Sequence, residues 1–180
     1  MIFAVAKYLV GVTYLVVFLF GFSTLAHAHL MVEQHGTLKW GKGGYYFVLS
    51  VPVSALSGVD DDGDGLLSNK EFRTHYNLIT TSVEKGYSLE SHTLGPSEIA
   101  GLLMNVSHLH NNANKPATHI VAMGRFNVPE NVTDLVLKTT LFGKRDSEKQ
   151  FKLKITRGQE QENFILSNTN PSHNLFGANR

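Results

Sequence analysis

Between Asp60 and Glu71 the chain reads "DDDGDGLLSNKE", with Asp60, Asp62 and Asp64 at alternate positions and a glutamate closing the stretch. Alternate residues of a tight loop can turn their oxygens toward one centre, which suits a hard divalent cation. Asp60, Asp62 and Asp64 fill the first, third and fifth ligand positions. Gly65 takes the sixth, where the chain must turn sharply, and the Leu66 carbonyl the seventh. Ser68 stands at the ninth, directly or through a water, and Glu71 at the twelfth offers two oxygens. Asp61 is expected to point outward and to add field rather than a bond, and Leu67 is the apolar eighth residue. Calcium takes six to eight oxygens at roughly 2.3–2.6 Å. Magnesium is the weaker candidate, because it demands near-octahedral geometry and keeps its waters. Without an ion, like charges about 4 Å apart repel by about 1 kcal/mol per pair in water and more near protein. An empty loop is therefore costly.

The neighbouring elements must hold these oxygens in place. From Ser68 to Lys85 the apolar residues Phe72, Tyr76, Ile79 and Val83 are spaced four, three and four apart, a single helical stripe. Ser68 with Glu71 three residues on forms a capping box, and Gly86 stands where a helix commonly ends. A helix over 69–85 is expected, beginning inside the acidic stretch. The loop 60–71 and its exiting helix resemble the EF-hand family. That resemblance implies one calcium ion held by Asp60, Asp62, Asp64, the Leu66 carbonyl, Ser68 and Glu71. The approach departs from the family: "YYFVLSVPVSALSGV" reads as a strand with at most one short turn, Ser54–Ser57. No second loop follows, since "KRDSEKQ" lacks the glycine and the spacing. A lone loop cannot open a helix pair as calcium sensors do, so the ion is expected to act as a staple.

Most of the remaining chain reads as β-structure. "GYYFVLSVPV" (44–53) follows a Gly-rich turn, and "FKLKIT" (151–156) alternates apolar with polar residues. Segments 102–110, 119–128, 134–142 and 163–167 are further strands, and 30–40 supplies one or two more. About seven short strands separated by turns predict a mainly β protein, a β-sandwich spanning 29–168. Residues 169–180 are polar and aperiodic and are expected to form a flexible tail.

The first 28 of the 180 residues carry one charge, Lys7, an apolar run from Tyr8 to about Phe22, and an Ala26-His27-Ala28 ending. This is the pattern of a cleaved secretory signal peptide, which predicts a periplasmic or secreted protein. Removing residues 1–28 leaves 15 basic and 15 acidic residues from the 16 and 15 of the whole chain. A neutral chain argues against nucleic-acid binding. No membrane contact is expected once the leader is gone, and a protein partner on the sheet remains an open expectation. The chain has no cysteine, so no disulfide holds it.

Histidines give a second candidate chemistry. In "SHLHNNANKPATH" a symmetric hairpin sets His108 opposite His119, with His110 on the same face. Three converging imidazoles would suit zinc, copper or nickel. His29, as a new N-terminus, could chelate copper with His35. The alternative function is thus transition-metal handling. His75 reads as a packing or solvent residue. No G-x-S-x-G or paired-carboxylate arrangement is present, so no enzymatic activity is expected.

Beyond the loop, the order of features resembles the periplasmic N-terminal region of HupE/UreJ-like membrane proteins, a family linked to metal permeation. The features are an Ala-His start, early strands, the "DDGDG…E" loop opening a helix, and a later "LVLKTTLFGK" segment. The departure is that no membrane helices follow residue 168. The resemblance therefore implies a soluble accessory or sensing domain and no permease activity.

Overall fold

The computed structural model describes residues 34–107 and 116–177. The leader expected over 1–28, together with His29, His108 and His110, lies outside them. β1 (His35–Gly41) and β2 (Gly44–Pro52) form a hairpin whose tight turn includes Gly43 at φ 84°, a conformation glycine adopts without strain. They join β5 (Ile99–Ser107), β6 (His119–Asn127), β8 (Gln150–Arg157) and β9 (Glu160–Ser167) in one sheet. Its order is β5-β6-β2-β1-β8-β9, with β1 and β8 parallel and the other neighbours antiparallel. The second sheet contains β3 (Tyr87–Ser91), β4 (Gly95–Pro96), β7 (Leu135–Thr139) and β10 (Ser172–Asn174), ordered β10-β7-β3-β4.

Period-two alternation decides which residues meet between the sheets. Tyr45, Phe47, Leu49 and Val51 of β2 are buried, while Tyr46 and Val48 between them are exposed. The Phe47 ring lies 5.3 Å from that of Tyr87 on β3, and Tyr87 lies 5.5 Å from Phe126 on β6. Aromatic contacts thus tie one sheet to the other. Burying each such side chain stabilises the fold by roughly 1.5–3 kcal/mol. The expected mainly β sandwich is the observed class.

Three details differ from expectation. There are ten strands among the described residues rather than about seven; β4 and β10, two and three residues long, are too short to show a period. The supposed tail contains β10, which pairs with β7, and Leu175 beyond it is buried with its N–H 2.8 Å from the Leu135 carbonyl. Backbone hydrogen bonds and one apolar anchor order this polar segment, so side-chain pattern gave no sign of it. The single helix expected over 69–85 is two: α1 (Asn69–Thr74) and α2 (Tyr76–Gly86), broken at His75, whose φ of −100° and ψ of 13° are not helical. Ile79 and Val83 of the predicted stripe are buried, whereas Tyr76 is exposed.

Candidate metal centre

The acidic loop leaves the core at Val59 and returns to it at Leu67, both fully buried. These anchors fix the span the loop must bridge. Leu67 and Ala117 exchange two backbone hydrogen bonds, 2.8 and 2.9 Å long, so the loop is stitched to the entry of β6. Between the anchors the chain turns on Gly63 and Gly65, at φ 75° and 77°. A side chain at either would be strained, which is why glycine stands there.

Asp60 organises the turn. Its Oδ1 accepts the Gly63 N–H at 2.8 Å and its Oδ2 the Gly65 N–H at 2.9 Å. Asp62 Oδ1 accepts from Asp64 N–H at 3.2 Å, and Asp64 Oδ1 from Leu66 N–H at 2.7 Å. Glu71, buried on the first turn of α1, reaches back across the loop. Its Oε1 accepts the Asp61 N–H at 2.8 Å, and its Oε2 accepts from both the Ser68 N–H (2.8 Å) and hydroxyl (2.7 Å). The capping box expected from Ser68 and Glu71 is formed.

The result is one group of three acids. Asp60, Asp62 and Glu71 each offer a carboxylate oxygen, and these oxygens all lie within 4.8 Å of one another. Two oxygens bound to one ion at about 2.4 Å can be no farther apart than about 4.8 Å, so this group could hold a metal ion. Asp64 is not a member of it, and its Oδ1 faces the Leu66 N–H instead. Among the described residues this is the only such group of histidine and acidic side chains.

Electrostatics within the loop pull in two directions. The Ser68 hydroxyl, then the Ser68 and Asp61 backbone N–H groups, hold Glu71 as a carboxylate and bring its pKa down to about 2. For exposed Asp62, the Asp64 N–H favours the charged form, yet some loss of hydration and the charges of Asp64 and Glu71 outweigh it and raise the pKa. A cation beside Asp62 would offset the neighbouring negative charges of Asp64 and Glu71.

Two partners of the loop are not legible in its sequence pattern. Asp61, expected to add only field, has Oδ1 2.8 Å from His75 Nε2, tying the loop to the break between α1 and α2. Their separation of 14 residues belongs to no motif. Arg145 brings Nη2 to 3.8 Å from where a Cβ on Gly65 would sit, while its Nη1 is 3.5 Å from Glu148 Oε1. A guanidinium therefore stands at the rim of the acidic loop.

No protein-family model matches the chain, and no curated protein matches it. The site's own geometry carries the functional argument.

The histidine arrangement needs correction. Ser107, not His108, stands opposite His119, so the register expected for that hairpin is off by one residue. With alternating faces, a one-residue slip removes the basis for setting His108 and His119 side by side. The expected connection "NNANKP" (111–116), six residues long, could not fix the register in advance. His119 itself is buried, with Nδ1 3.0 Å from the Thr118 hydroxyl and, among the described residues, no hydrogen-bond partner for Nε2.

Proposed function

We propose that this chain is an exported, non-enzymatic calcium-binding module in which one ion staples the sandwich to the helix pair that follows the loop. The observation that carries the reading is the convergence of Asp60, Asp62 and Glu71 within 4.8 Å on a loop anchored at both ends. Hard carboxylate oxygens without any histidine or cysteine favour calcium over zinc or copper. Asp64, the Leu66 carbonyl and Ser68 complete the ligand set in this proposal. The bound ion supplies positive charge where Asp62 is most crowded. The chain's own part is to hold the three carboxylates close through the glycine turns, the Leu67–Ala117 bridge and the capping box.

Isothermal titration tests the reading. Calcium is expected to bind with a dissociation constant of about 0.1–1 mM, the range of extracellular modules. The heat should vanish in Asp60→Ala and Glu71→Gln. At about 100 times the dissociation constant the ion adds about 2.7 kcal/mol to stability, visible as a rise of several degrees in Tm. Absence of both heat and melting shift at millimolar calcium overturns it, as does zinc or copper binding that survives Asp60→Ala while calcium has no effect.

A further inference from the structure

Side chains of the six-stranded sheet alternate between the core and an outer face. Cross-strand register sets Leu103, Met123, Val48, Thr37, Lys154 and Asn163 in one row across that face, from β5 to β9. Arg125, Tyr46 and Lys39 form the next row. Leu103 is 64% exposed, Ile165 51%, Tyr46 47%, Val48 43% and Met123 39%. These five, out of eight exposed large apolar residues among those described, share one face. Such concentration marks a contact surface rather than scattered surface residues.

Charge on the face is one-sided. Lys39, Arg125, Lys152 and Lys154 occupy outward positions, and no Asp or Glu does on any of the six strands. Lys152 has an interaction of its own, which leaves Lys39, Arg125 and Lys154 as the cations that define the face. Two shallow grooves, about 550 and 370 Å³, open between these residues: one beside Tyr46, Leu103 and Met123, the other beside Lys154 and Ile165.

We propose that the outer face of this sheet docks onto an anionic lipid bilayer. Cations interleaved with apolar side chains match the layer where lipid phosphates meet acyl chains. The apolar groups are spread across four strands, β5, β6, β2 and β9, instead of gathered in one deep cleft, which fits a broad fluid surface better than a single peptide. Each Lys or Arg near an anionic leaflet strengthens binding about fivefold, so three give about a hundredfold.

Cosedimentation of the full chain with phosphatidylcholine vesicles, with and without phosphatidylglycerol, tests this. Binding to the anionic vesicles should be at least about tenfold tighter and should weaken with salt. Lys39→Glu/Lys154→Glu should lose about tenfold or more, and Leu103→Ser/Met123→Ser should bind more weakly while keeping the salt dependence. If the double charge reversal does not melt cooperatively, Lys154→Gln carries the same comparison at about fivefold. Variants that bind like the parent, as attachment through residues 1–33 would produce, overturn the proposal. So do equal binding to neutral vesicles, capture of polyglutamate in place of vesicles, or a solution dimer that Leu103→Ser/Met123→Ser dissociates.

Discussion

Ser68 and Glu71 hold each other from both ends: Ser68 Oγ accepts the Glu71 N–H at 3.2 Å, and Glu71 Oε2 accepts the Ser68 N–H at 2.8 Å. The same two side chains start α1 and belong to the proposed ligand set. Helix initiation and ion binding are therefore coupled through one pair of residues.

Ser68→Ala tests that coupling. Losing an N-cap serine costs about 0.5–2 kcal/mol, so the calcium-free protein should melt several degrees lower. Calcium affinity should fall as well, because Glu71 loses the hydroxyl that orients it. Thermal melts with chelator and a calcium titration read the two effects separately. Ser68→Thr, which also caps helices and keeps a hydroxyl to donate to Glu71, should recover both.

Acid should destabilise the calcium-free fold through Glu71. Its folded pKa of about 2 lies below its ordinary value of 4.5. The folded state therefore favours the carboxylate more than the unfolded state does. The gain is complete above about pH 4.5 and is lost as pH falls through about 2, on the order of 3 kcal/mol in all. Denaturant melts of parent and Glu71→Gln should converge below that window and diverge above it. Parallel curves across the range would show that these hydrogen bonds contribute nothing.

His119 should act in a higher window. Burial is the largest influence on it and lowers its pKa beneath the ordinary 6.5, with Arg145 and His35 adding to the effect and Glu148 opposing it. The unfolded chain thus takes up this proton first. Stability should be full above about pH 6.5 and decline as pH falls toward the folded pKa. In His119→Gln that decline should be smaller between about pH 7 and 5. Equal declines in both proteins would contradict the assignment.

Much of the site was legible in the sequence because its information is local. Asp60, Asp62, Gly65, Ser68 and Glu71 lie within one turn and one helix start, where spacing alone decides which oxygens converge. The main strands were legible for a similar reason, since alternation such as that of Phe151, Leu153 and Ile155 is a direct image of a sheet with one face buried. Short strands such as β10 were not, because backbone pairing with β7 orders them and leaves no side-chain pattern.

The amino-acid order by itself determined the acidic loop, its capping box, the helix-forming stripe and the mainly β class. Tertiary structure alone decided the rest: the His75–Asp61 contact, the placing of Arg145 beside Gly65, the hairpin register that pairs Ser107 with His119, and the one-sided charge of the large sheet. The physical reason is range. Loop geometry and capping act over a few bonds of chain, whereas register and the sharing of a face are fixed by strands far apart in sequence. A nearly neutral chain can therefore gather Lys39, Arg125 and Lys154 on one surface only after the sheet has formed.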